Sequence, residues 1–182
     1  MIAQALAIRH PERVRSLCSI MSTTGAPGVG APTPEALAVV MRRLPTERDA
    51  YVAAELANME VIGSRGALVD VSWRRRRFER FFDRGLNADG VGRQIMAIVG
   101  SGDRTAALGA VRAPTIVIHG DADTLVSPDG GEATARAVPG ASMLVVPDMG
   151  HELPPATWPG VVAAIVANVR RAPAAHLPAG AP

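Results

Sequence analysis

The chain is poor in cysteine and in aromatic residues. Cys18 is its single cysteine among 182 residues, and it has three phenylalanines, two tryptophans and one tyrosine. One cysteine cannot form an internal disulfide, so a disulfide-built scaffold is excluded, and we expect Cys18 to be a small buried hydrophobic residue. No apolar run reaches the length of about 18 residues that predicts a membrane-spanning helix. Because no signal peptide is visible either, we expect a cytoplasmic protein.

The chain also lacks a strong charge of one sign. Its formal net charge is +2, and 20% of its residues are charged, as in ordinary globular domains. The basic character comes from arginines and not from a basic tail, so it does not predict binding to nucleic acid. No group of His, Cys and acidic residues has the spacing of metal ligands, so we expect no metal and no cofactor.

A buried strand followed by an acidic loop is predicted at Thr115–Val126. The segment starts with β-branched residues and breaks at Gly120 into a loop that carries Asp121 and Asp123. A continuous apolar run of this kind is typical of a strand that is covered on both faces in a parallel sheet. Polar groups that follow such a strand lie where open α/β sheets bind their ligands. His119, inside the strand, is interpreted as a core residue.

A second strand with a polar end is predicted at Ser142–Val146. The loop after it contains Asp148, interpreted as a turn former, and ends in His151. A histidine at such a strand end can titrate near neutral pH and is a candidate base. We expect its imidazole to lie within a hydrogen bond of Asp123, because the two strands end at the same edge of the sheet.

At these residues the chain resembles the α/β-hydrolase family, and the resemblance covers nearly its whole length. The family's acid follows its strand as Gly-x-x-Asp, which matches Gly120 to Asp123 and favours Asp123 over Asp121. Its base follows the next strand as Gly-His, which matches Gly150 and His151, in the chain order Ser, Asp, His. The resemblance implies that Asp123 fixes the tautomer of His151 and stabilises its imidazolium form.

The first residues, Ile2–Pro11, followed by Glu12–Val14, resemble the helix after the family's nucleophile elbow and its lead into the next strand. In relatives the motif Gly-x-Ser-x-Gly-Gly precedes this helix, so the serine is expected about four residues upstream of Met1. We therefore expect the chain alone to be inactive or very weak, because the serine and the oxyanion-hole N–H groups would lie outside it. Ser22, which follows the next strand, is disfavoured as a substitute because no sharp turn presents it.

The resemblance implies an α/β fold, the C-terminal part of an α/β-hydrolase parallel sheet with a helical cap insertion. Residues 1–33 are expected to form part of the core, with a strand at Val14–Met21. Residues 34–102 carry helix patterns without strand signals and are expected to form the cap. Residues 103–171 carry the acid and base strands, and residues 172–182 are expected to be a frayed tail.

Capping signals predict where three helices start. Thr33 precedes a proline at the first helical position, and Ser127 does the same. Thr46, with Asp49 three residues later, resembles a capping box and predicts a helix that runs to about Ile62.

An arginine run, Arg74–Arg77, lies within a helix predicted at Val71–Arg84. One face of this helix carries Val71, Phe78, Phe81 and Phe82, and the other carries Trp73, Arg76, Arg77 and Arg80. We interpret it as an amphipathic cap helix with a solvated basic face. Phe78, Phe81 and Phe82 are candidates for the wall of an apolar substrate pocket. Without interleaved stacking aromatics, the arginines do not predict binding to nucleic acid.

The resemblance implies hydrolysis of a small apolar ester by a Ser-His-Asp mechanism in the parent protein. Ser22–Gly25 and the sequence Pro-x-Met-Gly-His before and at His151 are also similar to bacterial esterases of the aclacinomycin methylesterase type. Two alternatives stay open: a non-catalytic short form that acts as a binding module, and an epoxide or carbon–carbon bond hydrolase. No nucleic-acid or membrane partner is expected. The strand Val14–Met21 would have an unpaired edge, which predicts a homo-oligomer through that edge.

Overall fold

The structure, a computed structural model, describes residues 1–86 and 88–173, and at positions 88 and 89 it describes the backbone only. The strands are β1 (Leu17–Ile20), β2 (Thr115–Gly120) and β3 (Ser142–Val146). The helices are α1 (Ile2–Arg9), α2 (Pro34–Met41), α3 (Arg48–Ile62), α4 (Val71–Asp83), α5 (Ala88–Gly100), α6 (Thr105–Leu108), α7 (Pro128–Ala137) and α8 (Trp158–Arg170). The predicted tail lies mostly outside the described residues.

The three strands form a parallel sheet in the order β1-β2-β3. The central strand, β2, is buried at every position, as its continuous apolar sequence predicts. Leu17 of β1 lies opposite Thr115, where β2 begins. The predicted strand started earlier, at Val14, but the residues before Leu17 have no β2 residue opposite them, so β1 is shorter. Cys18 is half-buried and not fully buried as expected, and this burial raises the pKa of its thiol.

Helices cover the sheet and form two apolar clusters with it. Ile116 and Ile118 of β2 pack with Val161 of α8 and with Met149. Ala7, Leu17, Leu108, Val111 and Val138 form the second cluster, where α1 and α6 meet the ends of β1 and α7. Ile116 and Ile118 lie on one face of β2, as the period-two alternation of a strand requires. The sheet and the helices that cover it therefore share an apolar core, as the α/β prediction requires.

The chain between β1 and β2 is helical. The helices α2, α3 and α4 pack around a third cluster that contains Ala36, Tyr51, Val52, Met59, Ile62 and Phe78. No strand occurs in residues 34–86 or 88–102. In contrast to α3, the helix α5 is exposed along most of its length. None of the helices among the described residues is both long enough and apolar enough to cross a membrane.

Two of the three helices, α2 and α7, start at the predicted residue. The Thr33 side chain accepts a hydrogen bond from the Ala36 N–H at 3.1 Å, which confirms this cap. The helix α3 starts one residue later than predicted, because the Glu47 carboxylate and not Thr46 accepts the first N–H groups. Ser127 lies at the predicted start of α7 but makes no capping bond, since its hydroxyl donates to Asp129 instead. The carboxylate of Glu47 is thus the cap of α3, in place of the predicted Thr46 hydroxyl.

The inward face of α4 differs from the prediction. Phe78 is 2% exposed, but Phe81 is 45% exposed and lies edge-on to it. Arg74, only 2% exposed, is buried one turn before Phe78, so the inward face runs through positions four residues apart. Arg77 is also largely buried. The interpretation of a solvated basic face is therefore wrong for Arg77, and the reason is the buried carboxylate of Glu152, which both arginines approach.

Candidate active site

The loops that follow β2 and β3 lie against each other at the carboxyl edge of the sheet. The Ala122 N–H donates to the Met149 carbonyl at 3.1 Å, and the Asp121 N–H donates to the Val146 carbonyl at 3.3 Å. In return, the Asp148 N–H donates to the Asp121 carboxylate at 2.7 Å. These three bonds bring the predicted acid and base loops into one unit.

Asp123 and His151 form a hydrogen-bonded pair. The distance between His151 Nδ1 and Asp123 Oδ2 is 2.8 Å. A carboxylate can only accept, so the proton of this bond is on Nδ1 and the lone pair of the imidazole is on Nε2. The Asp123 side chain is fully buried, whereas the His151 side chain is 29% exposed. The imidazole therefore contacts a buried carboxylate through Nδ1, while part of its side chain is accessible to solvent.

The orientation of Asp123 is fixed by its own loop. Its Oδ1 accepts hydrogen bonds from the N–H groups of Leu125 and Val126, both at 2.9 Å. This is the local bonding of an aspartate to the backbone two residues ahead that builds a turn. It leaves Oδ2 directed at His151, so the turn and the pair use different oxygens of one carboxylate.

His119 is a neighbour of the pair that the sequence did not reveal. It is fully buried, as predicted, but its Nε2 lies 3.6 Å from Asp123 Oδ2. Its Nε2–H donates to the Val126 carbonyl at 2.8 Å, and its buried Nδ1 has no hydrogen-bond partner among the described residues. The carboxylate of Asp123 thus lies between two imidazoles. The four-residue spacing across the β2 turn is the only sequence signal of this contact.

The backbone of His151 is held by the end of α3. The His151 N–H donates to the Ile62 carbonyl at 2.7 Å. The Gly150 N–H donates to the Ser64 hydroxyl at 3.1 Å, and the Arg65 N–H donates to the Asp148 carbonyl at 2.8 Å. A Cβ on Gly150 would overlap the Gly63 carbonyl, so the two segments are in backbone contact. Residues of the helical segment therefore position the base loop.

The remaining candidates lie in other surroundings. Asp121 is exposed and accepts from Asp148, which has a positive φ of 59° and is the turn residue expected. Ser22 is 7% exposed, and its hydroxyl accepts from the Met1 amino group at 3.1 Å. Burial, and then the nearby Arg104, lower the pKa of that amino group.

The three phenylalanines have different environments. Phe78 is in the helical cluster, Phe82 packs beside it, and Phe81 is largely exposed. Their role as a pocket wall stays a prediction. Within residues 1–86 and 88–173, no three His, Cys, Asp or Glu side chains are arranged so that they could hold a metal ion.

The geometry has a definite chemical capability. With Nδ1 bonded to Asp123, the Nε2 of His151 can accept a proton from a hydroxyl or from water. The imidazolium that results is stabilised by the buried carboxylate, which also keeps the ring in one tautomer. This is the arrangement of a general base that later acts as a general acid.

The comparisons with known proteins agree on the fold. An esterase from Thermogutta terrifontis is 22% identical over 93% of this chain, with a TM-score of 0.64. A mutant meta-cleavage product hydrolase from Pseudomonas fluorescens is 18% identical over 92% of this chain, with a TM-score of 0.59. An N-acyl homoserine lactone degrading enzyme is 24% identical over 83%, with a TM-score of 0.60.

The chain is shorter than these three proteins. It spans 60%, 57% and 56% of their respective lengths. The sequence model of the alpha/beta hydrolase fold matches residues 1–154, which include both Asp123 and His151. The chain belongs to the alpha/beta hydrolase fold family.

Proposed function

We propose that this chain supplies the acid and the base of a carboxylic ester hydrolase that uses a Ser-His-Asp mechanism. The observation that carries the proposal is the 2.8 Å bond between a fully buried Asp123 carboxylate and a partly exposed His151 imidazole. A buried carboxylate behind a histidine is what general-base activation of a hydroxyl requires. The family membership supports a hydrolytic reaction.

In the proposed reaction, His151 transfers one proton in each direction. Its Nε2 removes the proton from a serine hydroxyl while the oxygen attacks the ester carbonyl and forms a tetrahedral adduct. The imidazolium then donates that proton to the departing alkoxide, which leaves as the alcohol and gives an acyl-serine. Water, deprotonated by the same Nε2, attacks the acyl-serine, and the imidazolium then returns that proton to the serine oxygen as the acid is released. Asp123 stays ionised throughout.

The serine in this proposal is contributed by a segment that precedes Met1 in a longer protein. Two observations support this origin. Met1 is bonded to Ser22, directly after β1, so α1 starts at the edge of the sheet where Asp123 and His151 lie. The similar solved structures are also longer chains.

We propose a small, uncharged ester as the substrate. One of the structural neighbours is an esterase, which supports this choice. The apolar residues of the helical segment, with Phe78, Phe81 and Phe82 among them, are proposed to form the wall that contacts the acyl group. A short-chain p-nitrophenyl ester is therefore the probe for the assay.

The test compares the 182-residue chain with a form extended by the in-frame segment upstream of Met1. We expect hydrolysis of p-nitrophenyl butyrate by the extended form and its loss on His151→Ala, with the chain alone at background. Turnover by the chain alone that depends on His151 would overturn the external serine and direct attention to Ser22. No His151-dependent turnover by either form would overturn the hydrolase proposal and favour a binding module.

A further inference from the structure

A buried ion pair joins α4 to the residue that follows His151. Arg74 Nη2 and Nε both donate to Glu152 Oε1, at 2.5 and 3.2 Å. The side chains are 2% and 1% exposed, so both charges are removed from water. Arg74 is the most deeply buried member of the arginine run, and its carboxylate partner lies far away in sequence.

Further bonds around this pair leave little freedom for the carboxylate. Its Oε1 also accepts from the Ser64 N–H at 2.9 Å, while Arg74 Nη2 donates to the Ser64 carbonyl at 3.0 Å. A second cation, Arg77, lies 3.6 Å from Glu152 Oε2. A buried charge is tolerated when it is paired and hydrogen-bonded in this way, and the geometry of such a group is correspondingly restricted.

Glu152 directly follows His151 in the chain, so the position of Glu152 restricts the backbone of His151. The N–H of Glu152 donates to the Gly150 carbonyl at 2.8 Å, which closes a tight turn with His151 in the middle. Two contacts therefore hold the turn: the His151 N–H donates to the Ile62 carbonyl, and the Glu152 carboxylate accepts from Arg74. A shift of the Glu152 side chain would move the turn, and with it the imidazole that meets Asp123.

We propose that Arg74 and Glu152 are positioning residues, which hold the turn so that His151 Nδ1 stays bonded to Asp123. This inference rests on the proposed function, because it gives the pair a role in acid–base catalysis. It gives one residue of the arginine run, Arg74, a role that does not involve nucleic acid. Neither residue touches the substrate, and their effect passes through the backbone of residues 150–152.

A stabilising role alone would predict a different result from a positioning role. If the pair only adds stability, a folded variant without it would keep an unchanged bond between His151 and Asp123. If the pair positions His151, that bond weakens in the folded variant. The imidazole Nδ1–H of His151, observed by NMR and assigned by its loss in His151→Ala, reports the bond directly and needs no substrate.

The experiment uses Glu152→Gln in the full chain, with Glu60→Gln as the matched control. Glu60 is 75% exposed and lies 3.6 Å from the same arginine, so its substitution removes a carboxylate near Arg74 without uncovering a buried charge. We expect the Nδ1–H of Glu152→Gln to exchange with water about tenfold faster or more, and that of Glu60→Gln to match the parent. Unchanged exchange in a folded Glu152→Gln would overturn the proposal.

Two further measurements keep the outcome decisive. If Glu152→Gln does not fold, native-state hydrogen exchange of the parent chain is used. The His151 N–H, the Ser64 N–H and the Arg74 Nε–H should then open together, and independent opening of His151 would overturn the proposal.

In the extended form, Glu152→Gln should lower kcat up to about 100-fold with little change in KM. An extended form without any esterase activity would refute the proposed function. The NMR experiment tests separately whether Arg74 and Glu152 position His151.

Discussion

The backbone of Gly120 lies against the carbonyl oxygen of Met149, with no space between them for a side chain. A Cβ on Gly120 would overlap that oxygen. Gly120 ends β2 and starts the acid loop, and Met149 belongs to the loop that ends in His151. This close approach therefore sets the separation of the two loops, and the bond between Asp123 and His151 depends on it.

Gly120→Ala should destabilise the fold and loosen the pair. A methyl group in this packed space forces one loop away from the other, and insertions of this kind cost about 1–3 kcal/mol. Denaturation followed by circular dichroism gives the change in unfolding free energy. The control is Gly160→Ala in α8, where a Cβ would meet nothing within 4 Å. It should be neutral or stabilising by up to about 1 kcal/mol. Equal effects of the two substitutions would contradict the role of the contact.

The two aspartates of the acid loop should respond differently to loss of charge. In the extended form, Asp123→Asn should lower kcat by about 10⁴-fold, because an amide next to Nδ1 favours the wrong imidazole tautomer. Asp121→Asn should leave kcat close to the parent value, since the amide oxygen can still accept the Asp148 N–H. Steady-state kinetics on a p-nitrophenyl ester measure both. The reverse ranking would assign the acid to Asp121.

The sheet and the approach of the two loops could be predicted because they follow from local patterns. Thr115–Gly120 and Ser142–Val146 are apolar runs that end at glycine or proline, and parallel strands end at one edge. Consequently the expected bond between Asp123 and His151 is present at 2.8 Å. Its catalytic use stays a prediction, which the kinetic experiments above address.

The buried charges could not be predicted, because their partners are distant in sequence. The helix pattern placed Arg77 on a solvated face, because an arginine counts as polar in such a pattern. The approach of Arg77 to Glu152, which reverses that assignment, exists only once the helical segment has packed on the base loop. The same is true of His119. The apolar strand pattern around it predicted that it is buried, but not that it contacts Asp123.

Tyr51 provides a measurement of the helical cluster that does not depend on catalysis. It is the only tyrosine of the chain and is 5% exposed. Burial, and then the neighbouring carboxylate of Glu55, raise its pKa to about 12. A spectrophotometric titration of tyrosinate should therefore give a midpoint near 12 for the folded chain. In denaturant the midpoint should fall to about 10.

The same shift predicts how stability depends on pH. Between the unfolded and the folded pKa of Tyr51, the unfolded chain has lost the phenol proton and the folded chain has kept it. The free energy of unfolding should therefore fall as pH rises through this window. Tyr51→Phe should remove that part of the pH dependence. A folded-state midpoint equal to that of the denatured chain would show that Tyr51 is not buried as described.

Among the described residues β1 pairs only with β2, and its other edge is the basis of a prediction about self-association. The N–H groups of Leu17 and Met21 donate towards β2, so by the alternation of a strand those of Cys18 and Ile20 point away from it. Beside this edge lies a groove lined by residues of α1, of β1 and of the segment between them. Arg13 and Arg15 are among these residues, and so is Leu6, which is 47% exposed. Unpaired strand edges next to apolar surface favour pairing with another chain.

We propose that two copies of the chain pair through β1, related by a two-fold axis that places each edge against the other. Leu6→Lys should then convert the dimer to monomer, because its ammonium group would have to be buried in the joined groove. Val162→Lys is the matched control, since Val162 is 55% exposed but lies on α8, away from this groove. Sedimentation velocity distinguishes the species. A parent chain that stays monomeric at all concentrations, or equal dissociation by the control, would exclude pairing through β1.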